Sequence, residues 1–323
     1  MPTTVSAIVV NYEGRECIAD CLSSLLTQSR PPDSVIVVDN YSTDGSAELV
    51  EEAFPEVDLI KLPENVGYPA ACNLGIKKSQ SDLVAVLNND IILDSRWLET
   101  LLKQIKKPWD FWASRILTAD EPRRIDSAGD GMAVVGSAYK IGHGDAPGSF
   151  PNSHEVFGPC AAAALYRRTM LEELGGFDED FFLIYEDADL SMRARLRGHR
   201  CLYVPDAAVY HRVNQSIGTF SHNYVFYGHR NSECLFWKNM PTTLLIRYFP
   251  ERCLFNVLAF AYFTYHGRAG AFLAGKIDFF RCLPSVLRKR KEVQAGRRLS
   301  NREIKRFLDP NWLRYRRKPL SKS

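Results

Sequence analysis

Leu83-Val84-Ala85-Val86-Leu87-Asn88-Asn89-Asp90 is an apolar run closed by two amides and a carboxylate. Such a run, bounded by polar residues, suits a strand buried on both faces of a sheet, with Asn88, Asn89 and Asp90 at its carboxyl end. In open α/β sheets, ligands bind outside that end of the strands. A carboxylate beside amides there can hold a divalent metal between the phosphates of a nucleotide, because Mg²⁺ takes oxygen ligands and commonly only one or two carboxylates. Taken alone, the triplet reads more simply as a polar loop turning into a helix. Its neighbours shift the weight.

Toward the N-terminus the pattern repeats. Val5 to Val10 ends in Asn11-Tyr12-Glu13-Gly14, Val35 to Val38 ends in Asp39-Asn40, and Leu59 to Leu62 is a short third run. Between them Ile18, Leu22, Leu25 and Leu26 make a helical stripe stopped by Pro31-Pro32, Ser42 to Ser46 caps a helix ending near Phe54, and Pro69 to Lys78 is helical. Strands alternating with helices predict right-handed βαβ units and a mainly parallel sheet. A strand order of 3-2-1-4 brings Asn11, Glu13, Asp39 and Asp90 to one crevice. Neither GxGxxG nor GxxxxGK[ST] is present, so the phosphates are held some other way, and a metal at Asp90 is the economical answer.

Toward the C-terminus a helix carries Trp97, Leu98, Leu101, Leu102 and Ile105, and Phe111 to Leu117 reads as a strand. Thr118 to Ser153, rich in Gly, Asp and Pro, reads as loops or a hairpin over the site, with His143 and His154 as surface histidines. Phe157 to Leu165 is a compact strand of small residues, and Arg168 to Leu174 is a helix ended by Gly175-Gly176-Phe177-Asp178. The run Phe181 to Tyr185 then delivers Glu186 and Asp187 to a helix start. Neighbours on a helix point different ways, so only one of the two faces a given reacting atom; acids here also offset the helix dipole. Leu202 to Val204 and Ala207 to Tyr210 lead to His211, which can give a metal its nitrogen ligand.

The chain has 323 residues, enough for a large α/β domain and an appendage, and its 46% hydrophobic content is ordinary. Eight cysteines show neither CxxC nor zinc spacing and read as reduced thiols. The first residues carry no signal-peptide pattern, so a cytoplasmic protein is expected. A net charge of +3 conceals an asymmetry: residues 281–323 hold 15 Lys+Arg against 3 Asp+Glu, whereas residues 1–280 hold 26 against 35. Aromatic residues from Tyr224 to Trp237, apolar segments Leu244 to Phe249 and Cys253 to Tyr265, and the cluster Arg288 to Lys291 suit helices lying on the inner face of the plasma membrane. The longer segment has thirteen residues, whereas a spanning helix needs about twenty. Nothing in the tail resembles a nucleic-acid-binding fold. The expected division is a catalytic domain over 1–220 and a helical, aromatic and basic extension over 221–323.

Together, Val9-Val10-Asn11-Tyr12, Val37-Val38-Asp39-Asn40, Asn65-Val66-Gly67-Tyr68 with Asn73, Leu87-Asn88-Asn89-Asp90, Gly175-Gly176-Phe177-Asp178, Glu186-Asp187 and His211 resemble the family 2 glycosyltransferases, most closely the rhamnosyltransferase-like members. The match runs from about Val5 to Gly218 in the family's order. The resemblance implies a GT-A fold, a Rossmann-like mainly parallel sheet with flanking helices, and a nucleotide-sugar donor held with Mg²⁺ or Mn²⁺. By that resemblance Asn11 and Glu13 line the nucleoside pocket, Asp39 accepts a hydrogen bond from the pyrimidine, and Asn65 and Gly67 lie against the nucleotide. Asn88 and Asp90, with Asn89 between them, stand where the family has Asp-x-Asp. Since the first acid is here an amide, Asp90 is the main metal ligand and Asn88 a ribose or outer-shell contact. His211 completes the metal site, and Asp187 matches the general base, with Glu186 its rival. The implied reaction is inverting sugar transfer, with dTDP-rhamnose as the expected donor and a glycan or polyprenyl-diphosphate-linked acceptor in cell-envelope polysaccharide synthesis. A UDP-hexose or UDP-N-acetylhexosamine donor is the alternative within the class. A nucleotidyltransferase and a catalytically silent nucleotide- and membrane-binding scaffold are the alternatives outside it.

Overall fold

A computed structural model describes residues 3–121, 123–212 and 221–313. Its first half alternates as β1 (Val5–Asn11), α1 (Ile18–Leu26), β2 (Ser34–Asp39), α2 (Ser46–Ala53), β3 (Asp58–Lys61), α3 (Tyr68–Lys78), β4 (Leu83–Asn88), β5 (Ile91–Leu93) and α4 (Trp97–Leu102). The middle follows as β6 (Phe111–Thr118), β7 (Ile125–Ser127), β8 (Asp130–Ala133), β9 (Ala138–Lys140), β10 (His154–Val156), β11 (Ala163–Arg167), α5 (Arg168–Leu174), α6 (Glu186–Leu196) and β12 (Cys201–His211). Three long helices, α7 (His222–Asn239), α8 (Thr242–Tyr265) and α9 (Ala269–Ala295), then α10 (Asn301–Lys305) and β13 (Leu308–Asp309), complete it.

The main sheet runs β10-β12-β6-β11-β4-β1-β2-β3, so the expected order 3-2-1-4 forms one side of it. Strands β1 to β4 pair in parallel, and Asn11 stands opposite Asp39, with Val10 opposite Asn88. Alternation sorts the apolar runs: Val9, Val37 and Leu87 face α1 and α4, whereas Val10, Val38 and Val86 face α3 and α6. Both faces are covered, which is why these strands read as unbroken hydrophobic runs. The small-residue strand begins only at Ala163, antiparallel to β4 and β6. The two apolar pieces before His211 form one strand, with a register shift between Val204 and Ala208 where Pro205 cannot donate to a ladder.

The helices after residue 220 share a core with the α/β part: Phe236, Phe255 and Phe279 pack with Val135, Phe157 and Met192. The two apolar segments expected around Pro250 are joined in the single helix α8. Of the basic run 288–291, Lys289 turns inward to Asp178 and Arg290 caps the Trp237 and Met240 carbonyls, so only Arg288 and Lys291 stay exposed. That halves the cluster expected to meet an anionic surface. The end of the family match, at Gly218, and the basic residues from Arg314 onward lie outside the described residues. Among those described, no helix is long and apolar enough to cross a membrane.

Candidate active site

At the carboxyl ends of β1, β2 and β4 the polar side chains bond one another. Asn11 donates to Asp39 Oδ1 at 2.7 Å and to Ser46 Oγ at 2.8 Å, and accepts from Asn89 Nδ2 at 2.8 Å. The second Asp39 oxygen takes the Ser42 N–H at 3.0 Å. Asn11 and Asn89 are buried, so their amides fix the floor of the crevice. Glu13 holds the Thr43 N–H and hydroxyl, both at 3.0 Å, and Asn65 Oδ1 takes the Gly67 N–H and the Asn40 amide, also at 3.0 Å. Asn88, half-buried, closes β4. Gly67 is pinned by its surroundings: its φ is +85°, and a Cβ there would lie 2.7 Å from the Phe182 carbonyl oxygen.

Strand β5 turns back from Asp90 and pairs with the end of β12, Ile91 opposite His211, which brings the two expected metal ligands together. Asp90 Oδ1 lies 3.2 Å from His211 Nε2, yet it is buried without a well-directed hydrogen bond among the described residues. His211 Nδ1 donates to Asp126 Oδ2 at 2.9 Å. Asp126, on β7 and fully buried, takes Lys140 Nζ at 2.8 Å on both oxygens and His143 Nδ1 at 3.3 Å. His143 is therefore part of this network rather than a free surface histidine. Burial alone would raise the Asp126 carboxyl, but the Lys140 charge and the His143 and His211 hydrogen bonds hold it well below the usual range. Burial alone would lower His211, and its hydrogen bond to Asp126 and the adjacent Asp90 carboxylate lift it instead to about 9. A histidine whose Nδ1–H is fixed by a carboxylate and whose Nε2 faces a second, unsatisfied carboxylate oxygen fits a divalent cation. Sequence reading missed Asp126 and Lys140, because nothing in the spacing of that Gly-rich stretch marks them.

The other half of the site is the start of α6. Asp187 accepts the Ala161 N–H at 3.1 Å and the Ala188 N–H at 2.7 Å. Ala161 is tied to the strand ends, since the next carbonyl, Ala162, takes the Asn88 N–H at 3.0 Å. Glu186 Oε2 is buried with no hydrogen-bond partner among the described residues. Burial, then the Asp187 charge, pushes Glu186 up to about 8; burial also raises Asp187, but its two N–H donors oppose that. Asp130, Cys160 and Asp187 offer ligand atoms within 4.8 Å of one another. Burial drives both the Asp130 carboxyl and the Cys160 thiol toward their protonated forms, which gives Asp187 a protic lining. A separate cavity of about 440 Å³, lined by Asn73, Gly176, Asp178, Arg193, Lys238 and Lys289, contains none of the strand-end residues.

Residues 6–175 match the family model described as "Glycosyl transferase family 2", and residues 143–272 match "Glycosyl transferase family group 2". The chain belongs to glycosyl transferase family 2. It is 27% identical over 247 residues to the N-acetylglucosaminyl-diphospho-decaprenol L-rhamnosyltransferase of Mycobacterium tuberculosis, covering 68% of this chain and 79% of that one. It is 28% identical to the O-antigen biosynthesis protein RfbC of Myxococcus xanthus, with 65% of this chain aligned to only 17% of the relative. The poly-β-1,6-N-acetyl-D-glucosamine synthase of Staphylococcus epidermidis is 24% identical, with 76% of this chain and 59% of the relative covered. Among solved structures, GalNAc-T7 with UDP, GalNAc and Mn²⁺ superposes with a TM-score of 0.59 at 16% identity, over 72% of this chain and 48% of that one. The mannosyltransferase PcManGT from Pyrobaculum calidifontis, in complex with GDP-Man and Mn²⁺, gives 0.54 at 17%, over 92% and 86%. These likenesses establish the GT-A fold for this family 2 chain, as its motifs implied.

Proposed function

We propose that this glycosyltransferase moves a sugar from a nucleotide-sugar donor to an acceptor hydroxyl with inversion, using the strand-end crevice for the donor and Asp187 as the general base. The observation that carries the reading is the Asp90–His211–Asp126 arrangement at the carboxyl ends of the strands. Asp90 and His211 would hold Mg²⁺ or Mn²⁺, and a cation there offsets charge on the departing diphosphate. Asn11, Glu13, Asp39, Asn65, Gly67, Asn88 and Asn89 shape the nucleotide pocket, Asn11 and Asn89 from beneath.

Asp187 takes the proton of the acceptor hydroxyl as its oxygen attacks the anomeric carbon opposite the leaving group. The Ala161 and Ala188 N–H groups hold the carboxylate in place for that transfer. Retention through a covalent intermediate wants a second ionised carboxylate as nucleophile, and buried Glu186, pushed up to about 8, keeps its proton at neutral pH. Asp187 is therefore the better base of the two.

The acceptor we propose is a lipid-linked glycan of cell-envelope polysaccharide assembly, with dTDP-rhamnose as donor; the name of the mycobacterial relative supports a rhamnosyl group and a polyprenyl-diphosphate-linked acceptor. The similarity to the N-acetylglucosamine synthase favours a UDP-N-acetylhexosamine as second choice. Docking on a membrane surface is supported by the α8–α9 hairpin. Val257, Tyr265, Ile277 and Phe280 stand 64%, 87%, 56% and 67% exposed, and no carboxylate lies between Glu251 and Asp278. Incubation of the protein with dTDP-rhamnose, UDP-glucose or UDP-N-acetylglucosamine and a polyprenyl-diphosphate sugar, with Mn²⁺ or EDTA, tests the reading. Metal-dependent extension of the acceptor is expected; no product and no donor hydrolysis with any donor would overturn it.

A further inference from the structure

Four consecutive carbonyls lead into α6, and each meets a donor from a distant part of the chain. That of Phe182 accepts the Tyr68 N–H at 2.8 Å. Those of Phe181, Leu183 and Ile184 converge on one side chain, Asn231 Nδ2 in α7, at 2.8, 2.7 and 2.7 Å. An amide carries two N–H hydrogens, so the three carbonyls share them. Turning them to one point dictates the backbone: Phe182, Ile184 and Tyr185 have φ of +58°, +68° and +74°. Residues with side chains, a β-branched isoleucine above all, take that region only when their surroundings over-determine it, and such strain clusters at functional sites. Asn231 is fully buried, and Tyr227, one turn earlier on α7, stacks on Phe182 with ring centroids 5.2 Å apart. Gly67 closes in from the opposite side, leaving no room for a Cβ.

We infer that Asn231 is a positioning residue for Asp187: it clamps the 181–185 turn in its left-handed shape, and that shape sets where α6 begins and where the Asp187 carboxylate meets Ala161. The inference rests on the reading of Asp187 as the base. Without the amide, the Leu183 and Ile184 carbonyls lose this donor, that of Phe181 keeps only the Leu183 N–H, and the strained residues are free to relax. A displacement of about 1 Å at a reacting group costs roughly 100-fold in rate.

The test compares wild type, Asn231→Ala and Asn231→Ala/Ile184→Gly by kcat, by thermal stabilisation with UDP or dTDP, and by hydrogen–deuterium exchange. For Asn231→Ala, kcat falls about 100-fold, stabilisation by the nucleotide is kept, and faster exchange is confined to residues 182–189. Because glycine adopts positive φ freely, adding Ile184→Gly recovers a substantial part of kcat. An unchanged kcat, or a loss matched by faster exchange throughout the molecule and no recovery in the double variant, overturns the inference. If wild type turns over no donor, the transferase reading fails separately. Exchange at 182–189 then decides the clamp: confined acceleration in Asn231→Ala upholds it, and unchanged exchange overturns it.

Discussion

At the ends of β1, β2 and β4, the polar groups ride on neighbouring parallel strands in register, Asn11 beside Asp39 and Val10 beside Asn88. Around Asp187 every group arrives from a different element: Ala161 from the loop before β11, Asp130 from β8, Lys140 from β9 and Asn231 from α7. The first half is positioned by ladder hydrogen bonds that the sheet makes in any case. The second is positioned by individual side chains, with strain and buried charge as the cost. Single substitutions should therefore uncouple the two.

The largest separation is expected from Asp187→Asn. It should lower kcat by about 10²–10⁴-fold and leave thermal stabilisation by UDP or dTDP intact; equal loss of both would merge the halves. Next, Asp126→Ala removes the acceptor that orients His211. Mn²⁺ affinity measured by calorimetric titration should fall about 10–100-fold, and unchanged affinity would detach Asp126 from the metal site. Glu186→Gln sharpens the electrostatic side. In the native state Glu186 keeps its proton up to about pH 8, whereas the unfolded chain releases it near the ordinary 4.5, so native stability drains away as pH rises through that window. The variant should melt higher than wild type above pH 8, by on the order of a few kcal/mol, and equal to it below pH 4.5. A gap independent of pH would contradict the assignment. The smallest effect is expected away from both halves. Val257→Asp with Ile277→Asp should change stability by less than about 0.5 kcal/mol while abolishing flotation with anionic vesicles. Retained flotation would place the lipid contact elsewhere.

The same contrast governs what the sequence makes legible. Asn11, Asp39 and Asp90 could be found because a buried parallel strand announces its carboxyl end by where the apolar run stops. His211 gained meaning from the motifs before it. Asp126 had no such signal: its three-residue strand lies in a Gly-rich stretch, and its partners, Lys140 and His211, are 14 and 85 residues away. The clamp is hidden for a similar reason, since Asn231 reads as one polar residue on an aromatic helix and its acceptors lie 47 to 50 positions earlier. The run Arg288 to Lys291 looked like one patch. Successive helical residues turn about 100° apart, so Lys289 and Arg290 reach inward while their neighbours face solvent.

Thermal stabilisation of the protein by dTDP and UDP, with Mn²⁺ and with EDTA, for wild type and Asp90→Ala, tests most directly whether the strand ends, Asp90 and His211 form one metal-dependent nucleotide site. A nucleotide at a hundredfold excess over its Kd should stabilise wild type by about 2.7 kcal/mol, and both EDTA and Asp90→Ala should remove that gain. Stabilisation that survives both would contradict the account.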